Sequence, residues 1–148
     1  MISPLPAGWT NLGGVNAHMS RALGNWQSDN AIDMGAKPGT PVYAVEDGQI
    51  DPGAGFGFRE SGPTIWGWRL TLAGDSGDRY FYTHLGGCQR LIKPGVRVKE
   101  GQLLGWIGNP PGFPSHLHFG STRNPEKIAY GPPRPLTPED HLRILTGW

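Results

Sequence analysis

Residues 115–119, with the sequence Ser-His-Leu-His-Phe, place two histidines one residue apart. Alternate side chains of a strand share a face, so in a strand His116 and His118 point to the same side. A neutral imidazole is a good zinc ligand, and a second imidazole beside it can contact substrate or solvent instead. The motif indicates a metal or catalytic site, with a pair of surface histidines as the alternative.

Two other residues suit the same chemistry. His84 ends the predicted strand of residues 80–85, where simple alternation puts it on the same face as Tyr80 and Tyr82. Asp33 follows two apolar residues, and an acid in apolar surroundings requires a cationic partner or a metal. Taken singly, His84 is typical of a half-buried histidine, and each residue is weak evidence for a site.

Taken together, the order and spacing of these residues resemble the lysostaphin-type, or LytM-type, peptidoglycan endopeptidases. The resemblance covers about residues 31–119, which is most of the chain. Its motifs are Asp29-x-Ala31-Ile32-Asp33, Gly39-Thr40-Pro41-Val42-Tyr43-Ala44 with Asp47-Gly48, Tyr82-Thr83-His84-Leu85, Gly95-x-x-Val98-x-x-Gly101-Gln102-x-x-Gly105, and His116-Leu117-His118-Phe119.

The resemblance implies a zinc ion held by a His and an Asp of the first motif and by the second His of His-x-His. Transferred to this sequence, Asp33 and His118 are metal ligands, and His84 and His116 are the catalytic histidines beside the metal. The implied substrate is the peptide part of bacterial peptidoglycan. The implied fold is all-β, an antiparallel sheet in a sandwich-like or half-barrel form with a groove on one face.

The first motif departs from the family pattern His-x-Gly-x-Asp, because Asp29 stands where the family has its histidine. A carboxylate can bind zinc, so we expect Asp29 to be the third ligand. Two carboxylates and one imidazole make a harder site, which would also admit another divalent ion such as Mn²⁺. Asp29 as a solvated loop acid is an alternative. His18 could supply the missing imidazole instead, but it ranks lower because nothing in its spacing supports it.

Strand and turn signals around these residues define the elements that must position them. We predict a hairpin through Asp47-Gly48, joining residues 40–45 to 48–50, and a second hairpin of residues 66–72 and 79–85. Residues 94–105 repeat features of residues 38–50, which predicts two similar turns and strands in one sheet. Residues 1–30 are predicted to be an irregular lead-in, with a weak helical signal over residues 16–23.

The last predicted element is a short C-terminal helix over residues 137–146. Thr137 is its expected N-cap and Pro138 its first helical residue, with acidic residues in the first turn. The 148 residues suit a single domain, 1–148. The 24 Gly and 15 Pro punctuate many short strands.

Charge and composition exclude several functions. A net charge of +1 without a basic block argues against nucleic-acid binding. No segment is long and apolar enough for membrane insertion, and the N-terminus has no signal-peptide pattern. Cys88 is the single cysteine and is expected to be a lone core or surface thiol. We expect a monomer that acts at the bacterial cell wall after secretion, release by a holin, or incorporation in a virion.

The leading hypothesis is therefore a bacteriolytic, endolysin-like zinc endopeptidase that cleaves peptidoglycan peptides. The alternative is a catalytically impaired relative that binds cell wall or activates a partner. Retention of His84, His116, His118 and Asp33 favours the enzyme, because lost catalysis usually releases several site residues at once. A biotinyl or lipoyl carrier domain explains the Gly101-Gln102 hairpin but requires a modifiable lysine at a hairpin apex and leaves the histidines unexplained.

Overall fold

The computed structural model of the chain describes residues 1–21, 23–53, 55–58 and 67–123. Ten strands and two short helices are formed within these ranges. In chain order they are β1 (Thr10–Gly13), α1 (Val15–Met19), α2 (Trp26–Asp29), β2 (Ala31–Gly35), β3 (Pro41–Tyr43), β4 (Gly48–Ile50), β5 (Gly57–Phe58), β6 (Trp68–Gly74), β7 (Asp78–Cys88), β8 (Arg97–Val98), β9 (Leu103–Ile107) and β10 (His116–Arg123).

The ten strands of the described residues belong to one open antiparallel sheet. The main path runs β1-β2-β10-β7-β6-β4-β8, and β9 pairs with both β3 and β7. The antiparallel all-β prediction is confirmed. Three consecutive strands of the path, β2-β10-β7, carry Asp33, the His-x-His pair and His84.

Alternation in these strands separates the core from the functional face. In β10, Leu117 and Phe119 are fully buried in the hydrophobic core, and His116 and His118, which alternate with them, face the other way. In β7, Tyr80 and Tyr82 are likewise in the core, and the Tyr82 hydroxyl accepts a hydrogen bond from the backbone N–H of Val45.

His84 does not share the face of Tyr80 and Tyr82, contrary to simple alternation. Its φ of 66° is the positive value of a left-handed residue, and the pairing of β6 with β7 shifts by one residue at this point. A β-bulge of this kind reverses the facing of the residues that follow it. His84 therefore leaves the core face and joins Thr83 on the functional face.

The two sequence-predicted hairpins have different outcomes. The hairpin of β6 and β7 is confirmed. The hairpin through Asp47 is wrong, because β3 pairs with β9 while β4 pairs with β6 and β8. The Asp47 carboxylate accepts hydrogen bonds from the N–H of Glu100 at 2.8 Å and from Nζ of Lys99 at 3.1 Å. The chain changes direction at Asp47, so that β3 and β4 lie in different strand pairs. The similar segments 38–50 and 94–105 pair with each other, β3 with β9 and β4 with β8.

The N-terminal residues are more ordered than predicted. β1 adds an antiparallel edge strand to β2, and α1 and α2 follow it before the chain enters β2. The weak helical signal at 16–23 corresponds to α1, Val15–Met19. In the part of the chain that the structure describes, no helix is long and apolar enough to cross a membrane. The predicted C-terminal helix over 137–146 lies outside the described residues.

Candidate active site

The register of three adjacent strands brings the polar side chains together. His118 on β10 lies opposite Asp33 on β2 and opposite Thr83 on β7, and His116 lies opposite Gly35. Side chains directly opposite each other on one face of a sheet are neighbours. Asp33, His118 and Thr83 therefore form a row across the floor of the site, with His116 beside it.

His118 is held from both ends of its ring. Its Nδ1 lies 2.9 Å from Oδ1 of Asp33, and its Nε2 lies 2.7 Å from the backbone oxygen of Gln27 in α2. A carbonyl oxygen only accepts, so Nε2 must carry the proton. In the neutral imidazole, Nδ1 then presents its lone pair to the Asp33 carboxylate, an arrangement that a cation between the two atoms stabilises.

His18 shows the same pattern with its nitrogens exchanged. Its side chain is fully buried, and Nδ1 lies 3.0 Å from the carbonyl oxygen of Gly14, to which it donates. Its Nε2 lies 3.3 Å from Oδ1 of Asp33 without the alignment of a hydrogen bond, and among the described residues it has no hydrogen-bond partner. A buried polar atom without a partner calls for an explanation such as an ion at the site.

Asp33 is the centre of this arrangement. Three imidazole nitrogens approach its Oδ1, at 2.9 Å from His118, 3.3 Å from His18 and 3.5 Å from His116. Burial raises the pKa of Asp33, but while no metal is bound the contacts from the doubly protonated rings of His118 and His18 outweigh it and hold the pKa well below its usual range. The contact with Asp33 in turn raises the pKa of His18, against the opposing effect of burial. The carboxylate is ionised whenever the site is near neutral pH.

Among the described residues, His18, Asp33 and His118 form the group that could hold a metal ion, with ligand atoms all within 4.8 Å of one another. Nitrogen and oxygen donors of this kind suit zinc, and both imidazoles have the tautomer fixed by a backbone carbonyl, as metal-binding histidines usually do. The residues present fit a metal. Asp33 and His118 are residues predicted as ligands from the sequence, whereas His18 had ranked below Asp29.

Asp29 lies outside this group. It is the last residue of α2, and its carboxylate accepts hydrogen bonds from the N–H of Leu23 at 3.1 Å and of Gly24 at 2.9 Å. Asn25 is a sequence signal for a helix start here, because Asn is a preferred N-cap residue. Its side chain caps α2 by accepting a hydrogen bond from the N–H of Ser28. The helical turn directs the side chain of Asp29 to the preceding loop instead of to the floor of the site.

His84 and His116 lie beside the candidate metal group. Their ring centroids are 4.6 Å apart, and the Phe113 ring packs at 5.4 Å from His84 and 5.3 Å from His116. Nδ1 of His116 lies 2.8 Å from the carbonyl oxygen of Pro114, to which it donates, so Nε2 is the nitrogen that faces Asp33. The structure brings together both histidines that the sequence predicts to be catalytic.

These side chains line a groove of about 1060 Å³. The N-terminal segment contributes Leu12 and Leu23, both exposed, as an apolar wall. Phe81 and Phe113 add aromatic surface, and Arg21 and Arg69 add positive charge. A groove with an apolar wall, aromatic side chains and a small number of polar groups on its floor is the usual form of a binding site for a small or extended ligand.

An antiparallel sheet with a His, Asp and His group on the floor of a groove defines a class of metallohydrolase-like sites, and comparison with known proteins gives the family. The sequence profile of Peptidase family M23 matches residues 27–130, and the chain belongs to that family. The resemblance to lysostaphin-type enzymes is thereby confirmed.

Two curated relatives are endopeptidases. The chain is 28% identical to the L-Ala–D-Glu endopeptidase of Bacillus subtilis (strain 168) over 132 residues, which cover 84% of this chain and 37% of that protein. It is 35% identical to the glycyl-glycine endopeptidase ALE-1 of Staphylococcus capitis over 98 residues, covering 63% of this chain and 24% of that protein. The chain thus spans well under half the length of these relatives.

A solved structure supports the same family. The catalytic domain of the antimicrobial peptidase lysostaphin from Staphylococcus simulans has a TM-score of 0.58 and 26% identity, and the match covers 96% of this chain and 88% of that domain. His18 lies upstream of the residues that the family profile matches. His18, which ranked below Asp29 as a ligand predicted from the sequence, is therefore contributed by a part of the chain that the family profile does not match.

Proposed function

We propose that the chain is a zinc-dependent endopeptidase that hydrolyses peptide bonds of bacterial peptidoglycan and acts at the cell wall. The observation that carries the proposal is the convergence of His18 Nε2, Asp33 Oδ1 and His118 Nδ1 on the floor of one groove. Membership of a peptidase family and two endopeptidase relatives support it.

The proposed ligands are two imidazoles and one carboxylate. This set is less negative and less hard than the two carboxylates and one imidazole expected from the sequence, so it favours zinc over manganese. Catalytic zinc sites usually have three protein ligands and keep a further position open, and the proposed set also has three. We propose that His18 takes the role that the family's first motif gives to its histidine, in place of Asp29.

A zinc ion in this site supplies Lewis-acid chemistry for amide hydrolysis near neutral pH. The Nδ1–H of His116 donates a hydrogen bond to the Pro114 oxygen, so the unprotonated Nε2 can accept a proton from the attacking water and pass it to the leaving amine. His84 stands beside it and donates a hydrogen bond to the oxygen that becomes negative in the transition state. General acid and base help of this kind is worth about 100-fold to 10,000-fold.

The backbone around His84 fixes this histidine in place. A positive φ at a residue other than glycine costs on the order of 1–3 kcal/mol and persists where the surroundings enforce it. The His84 carbonyl accepts from the N–H of Gly108 at 3.0 Å. A Cβ added at Gly67 would lie 2.5 Å from the Leu85 oxygen, so only glycine permits this close approach. The strain positions a catalytic group.

The proposal is tested with purified peptidoglycan and zinc-loaded protein. We expect release of new amino groups and shortened muropeptides, loss of both products with a chelator, and their return when zinc is added back. His116→Gln and His84→Gln should bind zinc like the wild type and lose at least about 100-fold in rate. Zinc-loaded wild-type protein that binds the wall but releases no amino groups would favour the catalytically impaired alternative.

The two relatives are named for different bonds, L-Ala–D-Glu and glycyl-glycine. The bond that this chain cleaves must therefore be inferred from its own groove.

A further inference from the structure

Two guanidinium groups line the groove, and the metal group and catalytic histidines use neither of them. Arg69 is on β6, and Arg21 follows α1. We propose that Arg69 and Arg21 bind free carboxylates of the substrate, so that the protein prefers an anionic stem peptide over a neutral glycine bridge. This inference rests on the proposed function and names the substrate class of the same site.

Arg69 is built into the groove wall. Its neighbours Trp68 and Leu70 pack with the hydrophobic core, while Arg69 faces the groove with Phe81 and Thr83. Nε of Arg69 is buried without a hydrogen-bond partner in the described structure. A Cβ added at Gly55 would lie 3.1 Å from Nη2 of Arg69, so the loop covers one side of the guanidinium. Arg69 also lines the groove.

Neither arginine has an acidic partner in the ranges that the structure describes. Other arginines on this sheet do: Arg79 pairs with Asp51 and Arg97 pairs with Asp75. Arg69 is partly buried, so its guanidinium has lost hydration without gaining an ion pair, whereas Arg21 is exposed. A substrate carboxylate that binds two N–H groups in parallel restores both the charge pairing and the hydrogen bonds.

The order of strands places positive charge on both sides of the reacting centre. β10 and β7, which carry the three strand histidines, lie between β6 on one side and β2 with α1 on the other. An extended peptide across β10 and β7 therefore meets Arg69 toward one end and Arg21 toward the other.

The charge of the groove favours the same substrate. Its described lining contains two arginines and one acid, Asp33, so it is positive before a dication binds and more positive afterwards. A groove of one charge sign concentrates ligands of the opposite sign. A peptide of glycine residues carries no side-chain charge and gains nothing from this field.

The test uses two synthetic stem peptides that differ in one group. The first has a free carboxylate on the residue next to the scissile bond, and in the second that carboxylate is an amide. We expect zinc-loaded wild-type protein to cleave the first with a kcat/KM about 10-fold to 100-fold higher, the range of a charge-assisted hydrogen bond. Pentaglycine should be cleaved no better than the amide.

Variants assign the preference to the arginines. Arg69→Gln should lower the preference about 10-fold, by lowering kcat/KM for the carboxylate peptide and not for the amide peptide. Arg69→Lys should retain part of the preference. Arg21→Gln should also reduce it. Arg90→Gln is the matched control, because Arg90 is exposed and lies outside the groove. A ratio of two substrates measured on one preparation does not depend on how much of the variant is folded.

The outcomes separate this inference from the proposed function. Equal cleavage of the two peptides, or a preference unchanged in both Arg69→Gln and Arg21→Gln, overturns the inference while hydrolysis itself stands. If zinc-loaded protein cleaves neither peptide nor peptidoglycan, the proposed function fails. In that case, calorimetry measures the Kd of the same two peptides. Tighter binding of the carboxylate peptide that Arg69→Gln abolishes supports the inference, and equal Kd values overturn it.

Discussion

Nε2 of His18 lies 3.3 Å from Oδ1 of Asp33, and this contact joins the short helix α1 to strand β2, which lies next to the edge strand β1. The candidate metal group therefore depends on the folding of the N-terminal segment as well as on the sheet. His118 is fixed in the same way by α2, through the Gln27 oxygen. Both helices act as supports that aim an imidazole at Asp33.

Removal of His18 should weaken metal binding far more than removal of Asp29. We expect His18→Ala to lower zinc affinity about 100-fold or more, because loss of an outer hydrogen-bond partner alone costs 10–100-fold. Asp29→Asn is the comparison variant and should bind zinc like the wild type. Competition titration with a chromophoric chelator measures both constants. Wild-type affinity in His18→Ala together with weak binding in Asp29→Asn would reverse the ligand assignment.

Replacement of Asp29 should lower stability. Asp29→Ala removes the acceptor for the N–H groups of Leu23 and Gly24, and each exposed hydrogen bond is worth about 0.5–1.5 kcal/mol. We expect a loss of about 1–2 kcal/mol in the free energy of unfolding, measured by urea denaturation of the metal-free protein. Asp29→Asn keeps one acceptor oxygen and should lose less. An unchanged denaturation midpoint in Asp29→Ala would show that the loop does not depend on this carboxylate.

Gly120 sets how closely α2 approaches β10. A Cβ at Gly120 would lie 3.1 Å from the Gln27 oxygen, the atom that accepts from His118 Nε2. Gly120→Ala should push α2 outward, lengthen that hydrogen bond and lower zinc affinity about 10-fold to 100-fold. Gly53→Ala is a matched control, because the nearest atom that a Cβ there would meet among the described residues is Oδ1 of Asp51, at 3.4 Å. Equal zinc affinity in the two variants would contradict the support role of α2.

Cys88 should be an unreactive thiol. Burial raises its pKa to about 11, and its Sγ donates to the Leu104 carbonyl oxygen. At pH 8 the thiolate fraction is then about 100-fold smaller than for a thiol with a pKa near 9, and the thiolate is the reactive form. The native protein should react about 100-fold more slowly with a disulfide reagent than the urea-unfolded protein, and the native rate should rise as the pH approaches 11. Equal rates at pH 8 would contradict this assignment.

Much of the fold and the site follows from short-range patterns. Alternation and turn chemistry operate over a few residues, and they predict the β6 and β7 hairpin and the shared face of His116 and His118. The apolar residues before Asp33 predict that this acid has a cationic partner or a metal. The resemblance of the motifs to a known family added the order in which these residues meet. These features could be predicted from the sequence alone.

The remaining features depend on contacts between distant segments. The pairing of β3 with β9, instead of with β4, comes from long-range partners that a turn signal at Asp47 does not reveal. The bulge at His84 comes from a register shift against β6. His18 reaches Asp33 because α1 and α2 fold back onto the sheet, and no spacing rule along the chain describes such a return.

The position of bound zinc is the most direct test of the account. A crystal of zinc-loaded protein, measured at the zinc absorption edge, should show one anomalous peak about 2.0–2.2 Å from His18 Nε2, Asp33 Oδ1 and His118 Nδ1. His84 and His116 should lie near the peak without binding it. A peak bound by Asp29 and not by His18, or a peak away from this groove, would contradict it.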